Sequence, residues 1–361
     1  MAKHLVFIIG TRAQLIKVAP VVVACERLAL SCTLLMTGQH HETMQDLIDE
    51  FGIASPQMPA VEASEHSTIA SLLGWLPAAY KGVRAKLREL GAASADISVL
   101  IHGDTLSTLV GAFAARRHKA RVVHLESGLS SGRLLDPFPE EIFRRLVFRM
   151  TDVAMCPNRL AAAHMRRRHR AEVVDTGGNT IVDAVALTCA STIRPDFTEP
   201  YLVASLHRFQ NIYDAKRLAE LVALIEKLSQ RYIVHFVLHP ATRTRLDSQG
   251  LLSRLSSASG VRLLPRMGYR DFLCMAAGAA CVLTDGGSNQ EELATLGVPT
   301  IVMRVRTERP DGLGGNAVME ADVDGSVYQF IAEGHCEKLR RGPVSFEFKG
   351  PSARIAEILA G

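Results

Sequence analysis

The sequence predicts an α/β protein of two doubly wound, parallel-sheet domains in tandem. Three observations carry this. Short, wholly apolar runs alternate with helical segments along the 361 residues. Most runs end at a Gly or Asn before the next helix. The same rhythm restarts after Pro195. Strands without polar alternation are buried on both faces, which parallel sheets covered by helices require.

The first strand is Leu5 to Ile9, ending at Gly10, with a helix from about Gln14 to Leu28. Cys32 to Met36 ends at Thr37-Gly38, and Ile97 to Ile101 ends at His102-Gly103-Asp104. Arg121 to Leu125 leads into Glu126-Ser127-Gly128, and Val153 to Cys156 and Val173-Val174 complete the first set. The second set is Tyr201 to Leu206, Ile233 to Leu238, Val261 to Leu264, Ala280 to Thr284 and Thr300 to Met303. Helices over Ala215 to Arg231 and Asn289 to Leu296 lie between them. The boundary falls in the stretch Thr192 to Pro200. Two such domains imply a cleft, and ligands sit beyond the carboxyl ends of the strands.

Composition bounds the function. Apolar residues make up 48% and charged residues 22%, a globular profile. A net charge of +4 is too weak to imply nucleic acid. The run Arg166-Arg167-Arg168-His169-Arg170 reads as a solvated helix end. Seven scattered cysteines without a CxxC pair fit free thiols in a reducing cytoplasm and give no metal site. The N-terminal apolar run is too short for a signal peptide. Phe272 to Leu283 is too short to span a membrane and reads as core.

Polar residues placed directly after strands are the chemical candidates: Arg12, Asp104, Glu126, His207 and Asp285. Gly10-Thr11-Arg12 opens a helix whose free N–H groups, with Arg12 and Lys17, suit an anion; Arg12 reads equally as a surface charge. Asp104 is either a helix cap or a carboxylate facing the cleft. Glu140, after Pro139, suits the helix dipole, and Glu141 is either solvated or paired with Arg144 or Arg145. Acids gathered in one cleft are costly unless they work or meet cations. His207 stands in a strand-end turn, structural or catalytic. Thr284-Asp285-Gly286-Gly287-Ser288 runs from strand to helix. Its glycines let a diphosphate approach the backbone, or simply make a tight turn capped by Ser288. Gly312-Leu313-Gly314-Gly315 is a weaker glycine loop.

In their order, GTRAQLIKVAP (10–20), TGQH (37–40), HGDT (102–105), Glu126-Ser127-Gly128, Pro139-Glu140-Glu141, GGNTIVDA (177–184), His207-Arg208, Asp285 to Glu292 and TERP (307–310) resemble bacterial UDP-N-acetylglucosamine 2-epimerases of the non-hydrolysing type. The resemblance runs from residue 5 to the last helix. It implies two Rossmann-like domains of the glycosyltransferase-B type with an interdomain cleft. An N-terminal domain over 1–191 would carry the carboxylates, and a UDP-binding domain would span 192–345. A helix within 346–361 would cross back to the first domain.

By the same resemblance, Arg12, Phe272, Gly287, Ser288, Glu292 and Arg309 would contact UDP. Phe272 would lie against uracil, Arg309 by phosphate and Glu292 at the ribose. Lys17 and Gly286 join them from the reading of their loops. Asp104, Glu126, Glu140 and His207 would be catalytic. The implied reaction is epimerisation at C2 of a UDP-N-acetylhexosamine through 2-acetamidoglucal, with no cofactor and no metal. The implied setting is a cytoplasmic homodimer acting on a UDP-sugar in polysaccharide biosynthesis, without nucleic acid or membrane partners. Hydrolysing epimerase, glycosyltransferase and silent nucleotide-sugar sensor are the alternatives. The chain departs from the family at Ala13-Gln14 for Pro-Glu, Ser130 for Arg, Arg133 for Asp, Phe209-Gln210 for Arg-Glu, and Asp-Gly-Gly-Ser for Asp-Ser-Gly-Gly.

Overall fold

A computed structural model describes residues 4–39, 44–62, 69–91, 97–130, 132, 139–189, 199–307, 309–344 and 350–361. His40, Arg133, Pro137-Phe138, Glu308 and most of the 192–200 stretch lie outside the described residues.

Chain contacts define two units. One comprises 1–187 with 346–361, the other 188–345. The first holds a seven-stranded sheet of β1 (His4–Ile9), β2 (Cys32–Met36), β3 (Gln57–Pro59), β4 (Ile97–His102), β5 (Arg121–Leu125), β6 (Val153–Cys156) and β7 (Glu172–Asp175). Its order is β3-β2-β1-β4-β5-β6-β7, and every pairing is parallel. The second holds a six-stranded sheet of β8 (Tyr201–Ser205), β9 (Ile233–Val237), β10 (Val261–Leu264), β11 (Cys281–Thr284), β12 (Thr300–Val302) and β13 (Ala317–Met319). Its order is β10-β9-β8-β11-β12-β13, again all parallel.

Both sheets are covered on both faces, because consecutive strand residues feed opposite cores. Val6 and Ile8 pack with Trp75 and Val99, while Leu5, Phe7 and Ile9 are buried on the other side. Leu202 and Ala204 join one core of the second unit, Tyr201 and Val203 the other. Sequence periodicity missed β3 and β13. Each has three residues at a sheet edge, too short for an apolar run, and Pro59 suits an edge position.

The Arg12–Arg27 helix starts two residues before its sequence-predicted start, because the Thr11 hydroxyl accepts the Gln14 N–H and caps it. The Pro351–Ala360 helix packs on that helix, burying Ile355, Ala356 and Leu359. Its start is held by Asp183, which accepts the Ser352 N–H at 2.7 Å. Among the described residues, no helix is long and apolar enough to cross a membrane.

Candidate active site

The strand order of the first sheet reverses between β1 and β4, and that of the second between β8 and β11. Such reversals leave a crevice beyond the carboxyl ends of the strands. The residues at those ends are Gly10-Thr11-Arg12, Gly103-Asp104, Leu206-His207 and Asp285-Gly286, with Glu126 following β5 beside β4.

In the first unit, Glu126 anchors a buried polar cluster. Lys17 Nζ lies 2.8 Å from its Oε1, and Asn179 Nδ2 donates to the same oxygen at 2.8 Å. His102 Nε2 lies 3.2 Å from Oε2. Lys17 is only 3% exposed. A buried ammonium needs such an anion, and removing one partner of a buried pair costs about 3–5 kcal/mol. Glu126 has φ +58, a left-handed backbone that costs a non-glycine residue about 1–2 kcal/mol. Strain of this kind gathers at working sites.

Asp104 follows Gly103, whose φ of +67 makes the turn. The Asp104 carboxylate pairs with Arg144, whose other Nη donates to Glu141 at 2.6 Å. Glu141 is fully buried and also bonded by Ser130 and Arg145. Burial pushes its carboxyl up, but these three donors outweigh burial and hold it below the ordinary range. Paired rather than solvated, Glu141 fixes Arg144 beside Asp104, and Ser130 serves where the family pattern has Arg. Glu140 opens the Glu140–Met150 helix after Pro139. Its Oε2 is buried and unpartnered among the described residues.

Two side chains brace the Asp104 turn. His124 is fully buried with Nε2 2.9 Å from the Gly103 carbonyl. A carbonyl only accepts, so Nε2 carries the proton. Burial drives the His124 pKa down to about 4, against smaller upward pulls from that bond and Glu126. Gln14 satisfies all of its amide groups. Its Oε1 accepts the Gly10 N–H at 3.0 Å, and Nε2 reaches the His102 carbonyl, Thr105 and Thr108 within 3.0 Å. The departure from the family at position 14 thus ties the turn after β1 to the turn after β4. Arg12 is gripped by Asp46 through two bonds of 2.5 and 2.6 Å. Those bonds hold the Asp46 carboxyl below its usual range despite partial burial.

In the second unit, a recess of about 310 Å³ is lined by His207, Arg208, Phe209, Gly286, Gly287, Ser288, Asn289 and Arg309. Ser205 pairs with Thr284 in the sheet, so the turns after β8 and β11 meet here. Neither Gly286 nor Gly287 has a positive φ; both are glycine because neighbours crowd them. A Cβ on Gly287 would lie 3.0 Å from Arg309 Nε and 3.4 Å from Arg208 Nη2. One on Gly286 would meet His207 Cε1 at 3.1 Å. Two guanidiniums therefore close on bare backbone at the start of the Gly287–Leu296 helix, an arrangement suited to phosphate oxygens. Arg309 also pairs with Glu291.

Asp285 differs from its reading as a chemical residue. It is fully buried and accepts the His207 N–H, the Arg208 N–H and Asn211 Nδ2 at 2.8–3.1 Å. It builds the His207-Arg208 turn. Burial lowers the His207 pKa, and Arg208 and Arg266 add to this, while nearby Asp285 pulls it up. The imidazole is therefore neutral near pH 7 and able to move a proton.

Phe272 lies in the Tyr269–Gly278 helix, half-buried against the second unit's core. Glu292 is 2% exposed within the 287–296 helix. Neither lines the recess. Lys17 stands with the carboxylates of the first unit. The roles of Asn179 and Gln14, and the reach of Arg144 to Asp104, emerge only from the structure; the signal for Asn179 was its place in the GGNTIVDA motif. Among the described residues, no group of three or more His, Cys, Asp or Glu is placed to hold a metal ion.

The chain is similar to known proteins over most of its length. The sequence model of the UDP-N-acetylglucosamine 2-epimerase family matches residues 24–359. A UDP-N-acetylglucosamine 2-epimerase of Methanocaldococcus jannaschii is 30% identical over 319 residues, covering 84% of each chain. A UDP-2,3-diacetamido-2,3-dideoxy-D-glucuronate 2-epimerase of Pseudomonas aeruginosa is 29% identical over 312 residues, covering 83% of each. The crystal structure of an M. jannaschii UDP-GlcNAc 2-epimerase in complex with UDP-GlcNAc and UDP matches with a TM-score of 0.75 at 25% identity, over 99% of both chains. This chain belongs to the UDP-N-acetylglucosamine 2-epimerase family, and its kin are isomerases.

Proposed function

We propose that this protein interconverts UDP-N-acetylglucosamine and UDP-N-acetylmannosamine by eliminating and re-adding UDP. The observation that carries this reading is the glycine turn at 286–287 held between Arg208 and Arg309, with a neutral His207 beside it. Bare N–H groups and two guanidiniums suit the diphosphate of a leaving UDP. In this reading Arg12, Gly286, Gly287, Ser288 and Arg309 serve the diphosphate, Phe272 the uracil and Glu292 the ribose, while Lys17 holds Glu126.

The C2 proton is not acidic, since no carbonyl adjoins it. As the C1–O bond breaks, its electron pair leaves with UDP and positive charge spreads over C1 and the ring oxygen. A base then takes the C2 proton, and the C2–H pair becomes the C1=C2 double bond of 2-acetamidoglucal. Returning a proton to the other face of C2 and UDP to C1 completes the inversion. Asp104, Glu126, Glu140 and His207 are the groups assigned to move the proton and stabilise the cation.

Incubation with UDP-N-acetylglucosamine in deuterated water tests this. Deuterium at C2 with UDP still attached is the expected result. Free N-acetylmannosamine would mean hydrolysis, and unlabelled substrate would refute the reaction. The diacetamido-glucuronate nucleotide, the sugar named for the P. aeruginosa relative, is the comparator for sugar choice. All seven cysteines are free thiols, which supports a cytoplasmic setting. Homodimerisation follows the family resemblance and is tested by light scattering.

A further inference from the structure

We infer that Asn179 is a positioning residue for Glu126, fixing which carboxylate oxygen is anchored and keeping the group ionised. The inference rests on the catalytic assignment of Glu126 in the proposed function.

The geometry leaves little freedom. Asn179 Oδ1 accepts the Ile181 N–H at 3.1 Å, while Nδ2 donates to Glu126 Oε1 at 2.8 Å. A backbone N–H can only donate and a carboxylate mainly accepts. The two neighbours therefore force the amide into one orientation. Lys17 Nζ binds the same Oε1, so one oxygen takes two donors from two elements, the Arg12–Arg27 helix and the turn before the Ile181–Cys189 helix. Oε2 faces His102 at the end of β4. His124, on β5, also interacts electrostatically with Glu126.

Glu126 needs this support. Three χ rotations separate its carboxylate from the backbone, so its aim is set by the groups that bind it. Lys17 supplies charge from a flexible stem, whereas the amide of Asn179 is tied down by Ile181 and supplies direction. Anchoring Oε1 from both fixes the carboxylate plane, with Oε2 turned to His102 Nε2 at 3.2 Å.

Asn179→Asp is the sharp test. It keeps the size and the acceptor for Ile181 N–H but sets a carboxylate oxygen against Glu126. Glu126 is followed by carbon-13 carboxyl NMR, assigned with Glu126→Gln. In Asn179→Asp its titration midpoint is expected to rise by more than one pH unit, and Asn179→Ala should raise it less. With UDP-N-acetylglucosamine, kcat should fall roughly 30-fold or more while KM stays within about threefold, and the acid limb of the pH profile should move with the midpoint.

An unchanged midpoint in a folded variant overturns the inference; if Asn179→Asp does not fold, Asn179→Ala decides. A shifted midpoint in a protein whose wild type leaves the nucleotide sugar unlabelled upholds Asn179 and rejects the proposed reaction instead.

Discussion

At the scale of single residues, burial and close approach decide what each side chain can do. Glu126→Gln and Asp104→Asn should each lower turnover by ~10²-fold or more, the usual size of lost acid–base catalysis, as read in single-turnover assays. Near-normal rates in both would remove these groups from the chemistry. Gly287→Ala would bring a methyl within 3.0 Å of Arg309 Nε. Weakening of UDP binding by roughly tenfold, about 1.4 kcal/mol, is expected by calorimetry. His124 gives a pH prediction. Its folded pKa of about 4 lies below its ordinary 6.5, so the unfolded chain takes the proton first. Stability is intact above about pH 6.5 and is lost as the pH falls towards 4. In His124→Asn, urea midpoints should depend less on pH across that window; an unchanged slope would contradict this. Placement after strand ends was legible in the sequence, as for Glu126, His207 and Gly286. Partnerships were not. Gln14 and His102 are 88 residues apart, and Lys17 and Glu126 are 109 apart. Only the folded sheet brings such pairs together.

At the scale of elements, long apolar strands announced themselves and short edges did not. β2, β5, β6 and β10 match their sequence-read limits, whereas β3 and β13, three residues each, are too short to carry a readable apolar run. Asp285 shows a related gap. Its position after β11 resembles that of Asp104 after β4, but its complete burial made it architecture. The junction at Asp183 is equally tight. A Cβ on Gly350 would fall 1.9 Å from Asp183 Oδ1, at the start of the Pro351–Ala360 helix. Gly350→Ala should therefore destabilise by about 1–3 kcal/mol, the cost of overpacking a filled site. Denaturant unfolding measures it, and an unchanged midpoint would show that the junction relaxes.

At the scale of the whole molecule, alternation of apolar runs with helices was enough for the fold class, because a parallel sheet buried on both faces leaves no other pattern. UDP should slow amide exchange in residues 207–211 and 285–290 and raise the melting temperature in proportion to the logarithm of its concentration. Protection absent from those segments would move the nucleotide site elsewhere. The return of residues 346–361 to the first unit has a consequence for biosynthesis. The Arg12–Arg27 helix is synthesised before the second unit, yet the helix that packs on it is synthesised after that unit. At elongation speeds of about 5–20 residues per second, synthesis of the second unit alone holds that apolar face open for on the order of ten to thirty seconds. A nascent chain stalled before residue 350 would thus present an uncovered seam to chaperones, and loss of the Pro351–Ala360 turns should be felt at the Arg12–Arg27 helix.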